Sequence, residues 1–182
     1  MGHRLSRIVT RTGDAGSTGL ADNTRVGKTD MRIAALGEVD ELNCQIGVVL
    51  SLKPPRGIAA ALARIQNELF DLGGEISLPG AQMVSDEYLT RLETDAQTFN
   101  KKLPPLKEFV LPGGNQAAAA AHLARAVCRR AERALWTLHG QSPLNPNAPR
   151  YLNRLSDLLF IVARTLARTK NGKEVLWKRS PA

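Results

Sequence analysis

Cysteine is scarce in this chain: Cys44 and Cys128 are the only two among 182 residues. Two thiols that far apart make neither a disulfide framework nor a metal-ligand spacing. Both fall in predicted helices, so both are expected to be buried, inert thiols in a reducing compartment, which places the chain in the cytoplasm. Histidine is as rare, at three residues. No Glu-x-x-His pair occurs, which excludes the carboxylate-bridged di-iron bundles, and no protein-built metal site is expected. Aromatic residues make up only 4%, against abundant alanine and leucine, a balance that favours helix over sheet. No run of about 18 apolar residues exists, so no helix is expected to span a membrane. No secretory signal is read at the start. Met1-Gly2 followed by Ser6 fits a myristoylation pattern, but one so short that it arises by chance. Acidic residues are in deficit, 17 against 25 basic ones, for a net charge of +8. Such a balance suits nucleic acid, acidic membranes or a polyanionic small ligand such as ATP, and does not choose among them.

The most informative stretch is His122 to His139. Leu123, Val127, Ala131, Ala134 and Leu138 recur at helical spacing as an apolar stripe. Arg125, Arg129, Glu132 and Trp136 line another face, with Arg133 beside them. Four of the nine residues from Arg125 to Arg133 are arginine. Such a face either lies in water or meets an anion.

A second unusual stretch lies at the N-terminus. Residues 1–29 read as irregular and polar, and the run from Thr10 to Lys28 carries Gly13, Gly16 and Gly19 at intervals of three. Glycine lets backbone amides turn toward a ligand, hydroxyls add donors, and Lys28 supplies a point charge suited to phosphate. The run is not a P-loop, because Asp22 stands where GxxxxGK[ST] needs glycine before Gly27-Lys28-Thr29. A flexible tail and a phosphate site remain the two readings.

Between and after these stretches the apolar period predicts four more helices, making one domain over 1–182: an N-terminal segment (1–29), a bundle (30–170) and a tail (171–182). The first helix runs from Asp30 to about Leu52 on Ala35, Val39, Leu42, Ile46, Val49 and Leu50. Its acidic cluster of Glu38, Asp40 and Glu41 is either solvated or a partner for Arg125 and Arg129. The second runs from Pro55 to Ser77, weakened near Gly73-Gly74. The third runs from Ser85 or Asp86 to about Leu103. Asn115 caps the fourth, the arginine helix, with Gly140 at its C′ position. The fifth runs from Pro149 to about Lys170; Leu152, Leu155, Leu159, Val162 and Leu166 form its core side, and Asn153, Asp157, Phe160 and Arg164 another. Glu174 to Lys178 forms a short extended tail. Short linkers, apart from 103–115, make this an all-α, five-helix antiparallel bundle of ferritin-like shape. Phe109, in the FVLPGG loop, either tucks under the bundle or faces a flat apolar ligand.

No nucleophile-base pair is suggested, so the chemistry left to these residues is positioning and electrostatics: amides, hydroxyls and fixed positive charge around a triphosphate. Five motifs then stand in order: TRTGDAGSTGL from Thr10, GEVDELNCQIG from Gly37 to Gly47, FVLPGG from Phe109 to Gly114, RAVCRRAER from Arg125 to Arg133, and YLNRLSD from Tyr151 to Asp157. Through them the chain resembles the PduO-type ATP:corrinoid (cob(I)alamin) adenosyltransferases over nearly its whole length. The resemblance implies a five-helix bundle, a homotrimer with active sites between subunits, and transfer of the 5′-deoxyadenosyl group of ATP to the cobalt of a reduced corrinoid, releasing triphosphate. It implies ATP contacts from Thr10, Arg11, Thr12, Gly13, Thr18, Gly19 and Lys28, from the helix segment Arg129, Arg130, Ala131, Glu132 and Arg133, and from Asn153. It implies that Asp40 pairs with Arg125 across the subunit interface, and that Phe109 lies beneath the corrin and keeps the lower ligand off cobalt. Catalysis would then rest on Phe109, Asp40, Arg125 and Arg129. Mg²⁺ is the implied companion of ATP; a corrinoid reductase and an adenosylcobalamin-dependent enzyme are the implied partners. Three departures are mild: Ala15 where lysine is common, Asn23-Thr24 in place of a glycine-containing turn, and Cys44 for a frequent serine. Two other readings use the same basic face: a nucleic-acid-binding bundle, which leaves the glycine loop and Phe109 unexplained, and an ATP-binding protein that delivers cofactor without chemistry.

Overall fold

Asp30 opens the bundle as the apolar period predicts. Its backbone is extended, and its carboxylate accepts the Arg32 N–H at 2.7 Å, capping a helix that would otherwise start with orphan donors. In this computed structural model, which describes residues 8–179, five α-helices follow: α1 (Met31–Ser51), α2 (Arg56–Ser77), α3 (Asp86–Asn100), α4 (Gln116–His139) and α5 (Asn147–Ala167). A 3₁₀ turn, Thr169–Asn171, ends α5 before Lys170. The formal lipidation pattern at Met1, Gly2 and Ser6 lies outside the described residues. Asn115 caps α4 as expected, accepting the Ala118 N–H at 2.9 Å. Gly140 follows α4 but stays right-handed (φ −65°), because its amide still closes a bond to the Trp136 carbonyl. Gly73-Gly74 does not interrupt α2, whose buried Leu69, Leu72 and Ile76 hold that turn in the core.

By backbone contact the helices follow the order α2, α1, α4, α5, α3, and the pairs Arg64–Asp95 and Arg91–Glu68 close the ring between α2 and α3. Each helix runs opposite to the next in sequence. One end of the bundle gathers Leu52, Pro55, Gln116 and Leu166; the other gathers Arg32, Glu75 and Asn145. The pair α3 and α5 is the exception among spatial neighbours. Asp86 meets Asn147 and Glu93 meets Arg154, so those two helices run parallel. The chain leaving α3 must therefore cross the end of α5 to reach α4. That crossing is the 101–115 loop, which carries Phe109.

Alanine sets how closely the central helix packs. Ala118, Ala121, Ala124 and Ala131 of α4 are fully buried, which lets α1 and α5 approach its backbone on both sides. The stripe on α4 is rotated from the expected one: Leu123 is half-exposed, and Ala124, Cys128 and Leu135 take core positions. Cys128 is buried, and its thiol is pushed up by that burial and donates to the Leu152 carbonyl. Cys44 corrects the expectation of two buried thiols: it is exposed, on the outer side of α1.

The N-terminal segment is less irregular than its composition implies. Strands β1 (Ser17–Gly19) and β2 (Arg25–Gly27) form an antiparallel hairpin with Thr18 opposite Val26. Asn23 occupies the left-handed region (φ 66°) in its turn, a conformation asparagine tolerates, and so does there what glycine would do. The tail is extended as expected, and Leu176 bridges to Val110.

Candidate active site

Loop 10–28 is tied together by one arginine. Arg25 Nη2 donates to the Thr12 carbonyl (2.7 Å), the Ser17 carbonyl (3.1 Å) and the Ser17 hydroxyl (2.8 Å). The hairpin brings Lys28 back over the loop: its N–H donates to the Gly16 carbonyl at 2.8 Å, and its ammonium packs against Gly13. A Cβ on Gly13 would lie 3.1 Å from Lys28 Nζ and 3.3 Å from the Ser17 carbonyl, so glycine is what lets the lysine settle there. The hydroxyls of Thr10 and Thr12 meet at 3.0 Å, and Arg11, Thr12 and Lys28 are exposed. Thr10, Arg11, Thr12, Gly13 and Lys28 thus lie together in the loop, with Thr18 and Gly19 beside them in β1. Arg25 was missed; its only sequence signal was a charge set eight residues after Ser17.

On α4 the arginines divide by direction. Arg130 turns toward α1, where Nε pairs with Glu38 at 2.5 Å and Nη2 pairs with Glu41. These two carboxylates override the cost of desolvation and raise its pKa; the Glu38 hydrogen bond is the leading cause. The acidic cluster of α1 therefore has a partner, but it is Arg130 and not Arg125 or Arg129. One residue turns a helix by about 100°, and that step separates Arg129, which faces out, from Arg130, which faces α1. Arg129 is exposed, and its guanidinium has no partner among the described residues. Arg133 donates to the Arg129 carbonyl, and Asn153 of α5 donates to Glu132 at 3.3 Å, joining two expected contacts. Ala131 is fully buried, so its side chain packs the core.

Nearer the start of α4, Arg125 and Phe160 of α5 line a cavity of about 510 Å³ with Leu106, Phe109 and Val110 of the crossing loop. Phe109 is 78% exposed at its rim, which decides between the two sequence readings: it does not tuck under the bundle. Arg125 Nε is buried with no hydrogen-bond partner. Asp40 is exposed on α1 and makes no ion pair within the described chain. A larger cavity, about 670 Å³, lies at the end of the bundle between Lys53 and Lys170 and holds none of the expected residues. Among the described residues no hydrogen bond or ion pair links loop 10–28 to the arginines of α4, and no group of three or more His, Cys, Asp or Glu is placed to hold a metal.

A family model described as cobalamin adenosyltransferase matches residues 8–166. The chain belongs to that family. A cobalamin adenosyltransferase of Cupriavidus metallidurans is 53% identical over 180 residues, covering 98% of each chain. A corrinoid adenosyltransferase of Bacillus subtilis is 37% identical, covering 96% of this chain and 93% of its own. Among solved structures, a phenylalanine-to-alanine variant of the PduO-type ATP:corrinoid adenosyltransferase from Lactobacillus reuteri, complexed with cobalamin and ATP, is similar with a TM-score of 0.89. It is 32% identical, and the match covers 95% of this chain and 100% of that one. The all-α bundle and the order of motifs agree with the resemblance read from sequence.

Proposed function

We propose that this chain transfers the 5′-deoxyadenosyl group of ATP to the cobalt of a reduced corrinoid, giving adenosylcobalamin and inorganic triphosphate. The observation that carries this reading is the pairing of the exposed Phe109 with Arg125, whose buried Nε has no hydrogen-bond partner, around one cavity. The Lactobacillus reuteri protein, complexed with cobalamin and ATP, supports the same pair of ligands.

Cobalt(I) is itself a strong nucleophile, so the protein need supply none. Its electron pair forms the bond to C5′ of ATP, the C5′–O bond breaks, and that pair leaves on the triphosphate. The chain has two tasks: to hold C5′ over cobalt, and to stabilise charge on the departing group. Arg129, Arg133, Lys28 and the amides around Gly13 and Gly19 take the second. Thr10, Arg11, Thr12, Thr18, Glu132 and Asn153 orient the nucleotide, and Arg130 holds α1 and α4 in register through Glu38 and Glu41. Phe109 lies under the corrin and keeps the lower ligand and water away from cobalt, which makes cobalt(II) easier to reduce. Mg²⁺ would be a companion of the triphosphate, since magnesium is ordinarily held by phosphates with few carboxylates and the described residues hold no cluster of three or more His, Cys, Asp or Glu. It would neutralise part of the phosphate charge.

The unit is a single domain working as a homotrimer in the cytoplasm. A site between subunits accounts for the separation of loop 10–28 from the α4 arginines, and gives Asp40 and Arg125 each other as partners. A corrinoid reductase supplies the electron, and an adenosylcobalamin-dependent enzyme consumes the product. The test is anaerobic absorbance of reduced cob(I)alamin with the protein and MgATP. The cobalt(I) band decays as adenosylcobalamin forms, with one triphosphate per turnover. ATP binding with a persistent cobalt(I) band would leave cofactor delivery as the function.

A further inference from the structure

Within its own loop the Phe109 N–H donates only to the adjacent Glu108 carboxylate, at 2.8 Å. The crossing loop lies at the surface, and Phe109 is held by the C-terminal tail in three ways. The Trp177 N–H donates to the Phe109 carbonyl at 2.8 Å, and the Leu111 N–H donates to the Val175 carbonyl at 2.8 Å. The Trp177 ring stands edge-on to the Phe109 ring, with centroids 6.5 Å apart and planes at 76°. A single bridge of this kind is too short to persist alone, since even an isolated hairpin is marginal in water. Something must hold residues 175–177 in place.

Glu174 is that anchor. Its side chain is 4% exposed and lies between two arginines of the last helix and its end: Arg164 pairs with one carboxylate oxygen, and Arg168 Nε donates to the other at 2.8 Å. Arg164 is equally buried, and its Nη2 donates to the Pro104 carbonyl at 2.8 Å. One buried arginine thus grips both the start of the crossing loop and the root of the tail. Burial would raise the Glu174 carboxyl, but the hydrogen bonds from Arg164 and Arg168 override it and hold the group below the ordinary carboxylate range. The carboxylate therefore stays charged at neutral pH.

We propose that Glu174, latched by Arg164 and Arg168, is a positioning residue for Phe109, acting through the tail strand that it roots. The inference rests on the proposed corrinoid activity, and gives that activity a determinant outside the five sequence motifs. Glu174 is engaged by Arg164 and Arg168, with its side chain 4% exposed. It sets where the apolar platform stands.

The test is Glu174→Gln, which keeps shape and removes charge, measured in the full-length protein by amide hydrogen exchange and by turnover. The Leu111 and Trp177 amides are expected to exchange at least about tenfold faster, because the bridge that protects them loses its anchor. Turnover should fall about tenfold, while the KM for ATP moves less than about twofold, since only the corrin side is disturbed. Trp177→Ala, which leaves the latch intact, should lower turnover about threefold in the same sense. If circular dichroism shows Glu174→Gln unfolded, Arg168→Gln takes its place, with the same direction and a smaller size. Amides that stay protected, or freed amides with unchanged turnover, overturn the proposal. A wild-type protein that forms no adenosylcobalamin overturns the activity instead, and the exchange data then still report whether the latch exists.

Discussion

The two flanks of the bundle treat charge in opposite ways. Where α2, α3 and α5 meet, Glu68 is 3% exposed and fully engaged: Arg64 and Arg91 each pair with one oxygen at 3.0 Å, and the Tyr151 hydroxyl donates to the other at 2.8 Å. Arg64 continues to Asp95 at 2.8 Å, and the Arg91 guanidinium lies 4.6 Å over the Tyr88 ring. Where α4 and the crossing loop face outward, Arg129 has no partner, Arg125 Nε is buried and unpaired, and Phe109, Leu123 and Trp136 stand exposed. On the first flank the carboxylates are met by arginines of neighbouring helices and hold those helices together, while Arg91 Nε is itself buried without a partner. On the second, among the described residues, Arg129 is left to solvent and the buried Arg125 Nε has no partner, a state in which few buried polar atoms are left.

Breaking the first flank should cost the most stability. Glu68→Ala leaves two guanidinium groups and a buried Tyr151 hydroxyl without their acceptor, and removing one member of a buried pair typically costs about 3–5 kcal/mol. Denaturant unfolding should register that loss, with Glu68→Gln losing less because it keeps an acceptor for Tyr151. A change under about 1 kcal/mol would mean that the network is ornamental.

Phe109→Ala probes the second flank and should do the reverse. An exposed ring contributes little to folding, so thermal stability should stay within a few degrees of wild type. Turnover should fall on the order of a hundredfold, about 2.7 kcal/mol of barrier, with ATP binding nearly unchanged. Equal losses in turnover and ATP binding would remove Phe109 from its role under the corrin.

Arg129→Ala should separate the two arginine directions. Losing a charged hydrogen-bond donor to the triphosphate should raise the KM for ATP roughly tenfold, in line with about 1.5–3 kcal/mol for such bonds. Arg130→Ala, by contrast, should cost stability as well, because Glu38 and Glu41 lose their partner. Matching effects in both variants would erase the division drawn on α4.

Much of this contrast was legible before any coordinates. Ala35, Val39, Leu42 and Ile46 of α1 and Leu155, Leu159 and Val162 of α5 are buried where the helical period put them. The open flank announced itself through Arg125, Arg129 and Phe109, because clustered charge and an aromatic beside Pro-Gly-Gly are local signals. What stayed hidden depends on rotation and on pairing over distance. Which of four arginines meets the acids of α1 is set by how α4 is turned about its axis, and the alanine-rich stripe allows several rotations. Leu123 and Cys44 were misplaced for the same reason, since each lies near the edge of an apolar stripe. The hairpin of Ser17–Gly19 and Arg25–Gly27 is too short and too polar to show alternation. Glu174 carries no motif at all; its partner Arg164 lies ten residues earlier, across a turn that periodicity does not describe.

The smallest effect should come from His122, which lies between the two kinds of flank. Its ring is 3% exposed, stands edge-on to Phe160 at 6.1 Å, and leaves Nδ1 without a partner. Burial lowers its pKa first, the nearby Arg125 lowers it further, and Glu174 opposes them weakly. A depressed pKa means that the folded state holds the neutral ring at a pH where the unfolded chain already binds a proton. The stability it contributes is therefore present above the ordinary histidine value of 6.5 and is lost as pH falls from there through the folded value. Melting temperature should decline as pH is lowered from 7 toward 5, and His122→Gln, which cannot titrate, should flatten that decline. A slope unchanged by the substitution would assign the acid sensitivity elsewhere. Glu174 is the alternative, since its depressed pKa confines its own contribution to loss below the ordinary carboxylate value of 4.5, a separate and more acidic window.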